Sequence, residues 1–226
     1  MAIAVVTSAT GTFDGVDDAT TGAINTTGAD LLVIITSKAG DGVAATVNDS
    51  KSNTWTGLTM REVASGERVQ IFYATNVAGL VGSGHTFTAV GSFMSLAVIA
   101  FSGCHTTAPY DSLESGADTF GTTLQPGSLT PSQANCVVVQ GLSFNTVQSG
   151  AVSINSSYTI QDQLDRISGD RMGVASAYLV QGAAAATNPT WTAATTSMAA
   201  VAAVFKEAGG GGGGAVVRNL TLLGVG

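Results

Sequence analysis

Hydrophobic positions along this chain fall in strand-length runs, and the runs recur. Ala29-Asp30-Leu31-Leu32-Val33-Ile34-Ile35 is an apolar run introduced by Gly and Thr, and Ala134-Asn135-Cys136-Val137-Val138-Val139 takes the same place 105 residues later. Gly22-Ala23-Ile24 meets Gly127-Ser128-Leu129 at that offset. Asn53-Thr54-Trp55-Thr56 is echoed by Ser156-Ser157-Tyr158-Thr159 at an offset of 103. Thr86-Phe87-Thr88-Ala89 matches Thr190-Trp191-Thr192-Ala193 at 104, which also carries Met94 onto Met198, Phe101 onto Phe205 and His85 onto Pro189. Echoes in one order at a nearly constant spacing point to an internal duplication.

Each half reads as the same set of strands. They are expected near 30–37, 54–60, 67–77, 84–90 and 93–102, and again near 135–144, 157–163, 171–181, 189–194 and 197–206. Val69-Gln70-Ile71-Phe72-Tyr73 alternates as a half-buried strand does. Phe93 to Phe101 and Ala199 to Phe205 are apolar on both faces, as strands packed between layers are. Gly40-Asp41-Gly42, Asn48-Asp49-Ser50, Gly82-Ser83-Gly84, Gln125-Pro126-Gly127 and Asn188-Pro189 carry turn chemistry. Leu164 to Ile167 and Ala183 to Ala186 offer at most one helical turn each. The expected fold is an all-β antiparallel sandwich of jelly-roll type, its halves packed as one body because a lone five-strand unit leaves open edges. The first repeat spans 1–105 and the second 106–208, joined near Gly103 to Ser115, where Pro109-Tyr110-Asp111 reads as an exposed crossover.

The end of the chain breaks this pattern. Gly209 to Gly214 is an unbroken glycine run, a linker with no preferred structure. Beyond it, 215–226 forms an arm whose apolar Val216, Val217, Leu220, Leu222, Leu223 and Val225 read as one short strand. An apolar strand on a flexible tether needs a covering surface, either a sheet edge on a neighbouring subunit or its own domain.

Composition narrows the class. Charged residues are only 10% of the chain, a level that would suit a membrane protein, yet no run approaches the roughly 18 apolar residues a spanning helix needs. Val, Thr and 29 Gly instead favour strands and turns. A net charge of −7 argues against a phosphate-tracking surface, so no nucleic-acid partner is expected. A surface so poor in charge suits burial against neighbouring copies, and a homo-oligomer is expected. The N-terminus lacks the basic start of a signal peptide.

Candidate chemistry is sparse, and no cofactor or metal is expected. His85 faces Pro189 across the repeat, which is not how a duplicated site behaves. His105 beside Cys104 cannot by itself build a zinc shell. Cys104 and Cys136 form no metal or redox spacing; buried thiols and a disulfide both remain open. Asp14, Asp17 and Asp18, and Asp41 with Asn48 and Asp49, make oxygen-rich loops that suit solvated turns better than Ca²⁺. Asp162, Asp165 and Asp170 could supply a glycosidase carboxylate pair, but nothing sets their separation. Trp55, Tyr73, Tyr158, Tyr178 and Trp191 could stack on sugars, although their repeat-matched places favour a core.

Several segments resemble a known group. Gly28-Ala29-Asp30-Leu31-Leu32-Val33, Asp49-Ser50-Lys51-Ser52-Asn53-Thr54-Trp55-Thr56, Ala100-Phe101-Ser102-Gly103-Cys104 with Ala108-Pro109-Tyr110-Asp111, and Ala203-Val204-Phe205 are similar to a diffuse set of β-sandwich proteins. These occur among bacteriophage virion proteins, as head decoration, tail and fibre components, and among secreted bacterial proteins. The resemblance covers about 1–206 and implies a non-enzymatic virion protein, foremost a capsid decoration or cement subunit. Its expected partners are major capsid or tail subunits, with no membrane. Two other expectations stand beside it: a tail-fibre or cell-surface adhesin for glycans, and a glycosidase on a lectin-like sandwich. No catalytic residue comes with the resemblance.

Overall fold

The structure is a computed structural model that describes residues 2–13, 18–40, 43–75, 77–146, 151–165 and 171–209. Among these residues there is no helix, and every strand pair is antiparallel. The first half supplies β1 (Ala4–Phe13), β2 (Ala19–Thr21), β3 (Leu31–Lys38), β4 (Thr46–Asp49), β5 (Trp55–Gly57), β6 (Arg61–Glu62), β7 (Arg68–Ala74), β8 (Phe87–Val90) and β9 (Ser95–Ser102). They form one sheet in the order β4-β8-β2-β1-β9-β3-β7-β5, with β6 also on β7. The second half supplies β10 (Tyr110–Leu124), β11 (Cys136–Phe144), β12 (Ser153–Ile154), β13 (Thr159–Leu164), β14 (Gly173–Gln181) and β15 (Trp191–Lys206). Their order is β10-β15-β11-β14-β13, with β12 against the start of β15. The fold is thus a two-sheet all-β sandwich, and each sheet is drawn from one half.

The two orders match strand for strand if β10 stands for β1 plus β2 and β15 for β8 plus β9. In the first half Gly91 at φ 149° and Phe93 at φ 52° break β8 from β9. The stretch 93–102 is therefore a strand only from Ser95. In the second half 189–194 and 197–206, expected as two strands, run on as the single strand β15 from Trp191. Two further expectations fail. Tyr110 opens the longest strand but one instead of a crossover, and 183–186 is irregular instead of a helical turn; of 164–167, Leu164 ends β13 and Ile167 lies outside the described residues.

Pairing corrects the alignment of the halves by one residue. Phe101 lies opposite Leu31, and Phe205 lies opposite Val137. Leu31 therefore corresponds to Val137 and not to Cys136, and a one-residue slip matters because it exchanges the faces of a strand. Tyr73 opposite Val33 and Tyr178 opposite Val139 agree with the corrected register.

Three cores result. Leu31, Val33, Ile35, Ile99 and Phe101 meet Val137, Val139, Val201 and Phe205 between the facing sheets. Each half also closes over a core of its own, around Leu32, Ile34, Phe72 and Phe87 in the first and Val138, Leu142, Phe144 and Trp191 in the second. Strands β3 and β11 are buried along their whole length because one face looks into the central core and the other into a private one. The central contacts are reciprocal, as across an approximate two-fold axis. Tyr73 packs on Phe205 at 5.5 Å and Tyr178 on Phe101 at 5.8 Å between ring centres. At the middle, the Ser37 and Ser143 hydroxyls, which correspond to each other, bond at 2.6 Å.

Candidate functional site

The densest polar cluster in the interior is built where β4 turns into β5. Asp49 ends β4, and the turn that follows leaves backbone N–H groups with no strand partner. Its carboxylate accepts the N–H of Lys51 at 2.8 Å and of Asn53 at 3.2 Å, an Asx-type turn. The same carboxylate accepts the Trp55 indole N–H at 2.8 Å and His85 Nε2 at 2.9 Å. Both the Asp49 and His85 side chains are fully buried. The Thr26 hydroxyl lies 2.8 Å from His85 Nδ1, against 3.3 Å from the Gly82 carbonyl. Both ring nitrogens are thus engaged, Nε2 by the Asp49 carboxylate and Nδ1 by the Thr26 hydroxyl. Burial alone would push the Asp49 carboxyl up; the donors from His85, Lys51, Trp55 and Asn53 outweigh it and hold the carboxyl below its ordinary value.

Thr26, His85 and Asp49 contain the hydroxyl, imidazole and carboxylate of a nucleophilic relay. Thr26 and His85 are 0% exposed, however, so no substrate atom can reach either in the folded chain. Phe87 stacks on the imidazole at 4.1 Å and completes the enclosure. What the cluster does is fasten the 49–55 turn and the 82–85 segment to each other. The second half holds none of it. Ile154 stands for Asp49, each lying opposite the corresponding Trp191 or Phe87. Thr187, not Pro189, stands for His85, because Leu129 bridges Thr187 as Ile24 bridges His85. The Tyr158 hydroxyl lies 3.2 Å from Thr187 Oγ1 and fills the role of the Trp55 indole.

The remaining candidates are dispersed. His105 is spent on a local turn, its Nδ1 accepting the N–H of Ala108 at 3.2 Å and of Thr107 at 3.3 Å. Cys104 and Cys136 are free and lie in different cores, so no disulfide joins them. Burial pushes the Cys104 thiol up to about 12 and the Cys136 thiol to about 11, which keeps both protonated near neutrality. Asp49 faces nitrogen donors, Asp18 accepts the Gly91 N–H at 3.1 Å, and Asp14, Asp17 and Asp41 lie outside the described residues. Among the described residues no three His, Cys, Asp or Glu side chains gather as a metal shell would require.

Of the three carboxylates only Asp162 lies on β13; Asp165 follows its last residue, Leu164, and accepts the Gln163 amide N–H at 2.7 Å, and Asp170 lies outside the described residues. Burial raises the Asp162 carboxyl, opposed by a bond to Ser8. The aromatic candidates are packing residues. Trp191 is 0% and Tyr158 8% exposed, Trp55 is held edge-on to Phe87 at 6.1 Å, and Tyr73 and Tyr178 belong to the central contacts. The proposed arm residues Val216, Val217, Leu220, Leu222, Leu223 and Val225 lie outside the described residues.

Two surface features escaped the sequence reading. A cleft of about 140 Å³ opens between the halves, floored by Leu58, Ile71 and Val201 and rimmed by Arg61 and Glu114. Glu114 is its single carboxylate and is held by the Thr59 N–H at 3.1 Å and by the Thr59 hydroxyl. On the outer strand β10, Phe120 is 73% exposed. Neither carried a signal in one sequence, because the cleft joins residues far apart and Phe120 sits in a polar segment. No protein-family model, curated protein or solved structure matches the chain.

Proposed function

We propose that this chain is a non-enzymatic assembly protein of the bacteriophage virion type, a decoration or cement subunit whose halves are copies of one unit. The observation that carries this reading is the outer flank of β10. Among the described residues it is the outermost strand of its sheet and pairs with β15 alone, and its Phe120 stands in solvent. Open strand flanks and exposed aromatics are features by which subunits associate. The relay-like set Thr26, His85 and Asp49 is enclosed in the core, which suits a scaffold better than a catalyst. Resemblance of the sequence segments to virion β-sandwich proteins supports the setting. The burial of Trp191 and the engagement of the Trp55 nitrogen count against these two side chains as a glycan platform.

The test is occupancy. In host-produced particles the chain should copurify with heads or tails after the two are separated, and deletion of 209–226 should lower its copy number by at least half. Unchanged occupancy would remove the arm from the account, and absence from particles would remove the virion reading.

A further inference from the structure

The outer flank of β10 has a built-in preference for what may pair with it. Tyr110 and the stretch from Glu114 to Gly121 pair with β15 on one side, with a bulge between them where Ser112 takes φ 54°, and among the described residues no strand lies on the other. Such a row of backbone groups is a template for one more strand. Its charged side chains are Asp111, Glu114 and Asp118, with no Lys or Arg. Ser132 holds Asp111 and Thr59 holds Glu114, but these are neutral donors and leave the negative charge in place. A second β10 laid against the first would gather the carboxylates of both strands along one seam with no Lys or Arg on either, so the flank disfavours its own copy. It admits a strand without carboxylates. The segment Ala215-Val216-Val217-Arg218-Asn219-Leu220-Thr221-Leu222-Leu223-Gly224-Val225-Gly226 has no acid, one Arg, and apolar side chains that Phe120 can meet.

Reach decides whose segment it is. The described chain leaves β15 beside the start of β10: Lys206 N–H bonds the Pro109 carbonyl at 2.7 Å and Ala208 N–H the Gly103 carbonyl at 2.8 Å. An antiparallel partner must enter at the far end, by Gly121, roughly 36 Å away at about 3.3 Å per residue. The stretch from Ala208 to Ala215 covers at most about 25 Å when fully extended. A chain therefore cannot lay its own segment antiparallel along the whole of 110–121, whereas a neighbour can. We infer that residues 215–226 of one copy add as an antiparallel strand to the outer flank of β10 in a second copy. This rests on the assembly reading above and names the surface and the occupant.

Hydrogen–deuterium exchange on the full chain and on a Leu220→Asp/Leu222→Asp variant tests it, with mass measured by sedimentation across a dilution series. In the parent chain the amides of 110–121 should exchange at least ten-fold more slowly than in the variant, and the protection should fall on dilution together with the oligomer. Equal exchange with a changed mass would place the segment elsewhere, overturning the β10 site while leaving assembly intact. Protection that persists in the monomer would put the segment on its own chain and overturn the exchange between copies. A monomer at every concentration with equal exchange would overturn both this inference and the assembly reading.

Discussion

The two halves build one strand order with different chemistry at the same corner. In the first, five residues separate Asp49 from Trp55; in the second, three separate Ile154 from Tyr158. The longer turn leaves more backbone N–H groups without strand partners, and Asp49 takes up those of Lys51 and Asn53 as well as the His85 and Trp55 nitrogens. The shorter turn needs no such anchor, and Ile154 packs against its own core instead. Buried polar groups are retained when each has a partner, and an apolar substitute serves equally when the donors are gone. The network is thus an answer to a local backbone problem.

Where a position touches its own counterpart across the central core, the pair differs in size or is small. Ile35 corresponds to Gly141, and a Cβ on Gly141 would come within 2.6 Å of Ile35 Cγ2. One side supplies the bulk and the other the space. Ser37 and Ser143 are identical and small enough to share a hydrogen bond at the middle.

The largest effect expected from this comparison comes from Asp49→Ala. It strands the His85 and Trp55 donors in the interior and should cost about 3–5 kcal/mol by urea unfolding at pH 7. Ile154→Ala, at the corresponding place but only partly buried, should cost about 1–2 kcal/mol. Equal costs would abolish the contrast drawn between the corners. The Asp49 carboxyl is depressed in the fold, so its contribution is complete above the ordinary value of 3.8 and lost as pH falls through the lower folded value. The gap between parent and Asp49→Ala should therefore narrow in acid below about pH 4.

Gly141→Ala comes next, at about 1–3 kcal/mol, because the new methyl meets Ile35 in a packed core. Combined with Ile35→Ala it should cost less than the sum of the single changes by at least about 0.5 kcal/mol in a double-mutant cycle. Strict additivity would show that the two do not share one space. The smallest effect belongs to Trp191→Phe. The Trp191 ring is fully buried and its N–H has no bonded partner, while the corresponding Phe87 has no N–H to satisfy. Lost ring volume and the removed orphan donor should nearly cancel, leaving thermal unfolding within about 1 kcal/mol of the parent.

The inner strands were legible in the sequence because they are buried on both faces, which turns alternation into unbroken apolar runs such as Leu31 to Ile35 and Val137 to Val139. The matches of Phe101 with Phe205 and of Trp55 with Tyr158 were legible too, since a bulky side chain stands out in a chain of small ones. Strands β1 and β10 were not. Their Ser, Thr, Gly and acidic residues read as loop, and only an outer place beside a long partner makes such segments strands. His85 and Asp49 were each visible alone, but they lie 36 positions apart and no local pattern announces a contact at that range.

The sequence by itself determined an all-β sandwich, its turn positions and the twice-repeated run of apolar strands, because strand period and turn chemistry are local properties. Tertiary structure alone decided the register that sets Leu31 against Val137 as counterparts. It also decided the pairing of Asp49 with His85, the yielding of Gly141 to Ile35 and the open flank of β10. Each depends on which distant surfaces meet, and burial, charge and space are settled only at that meeting.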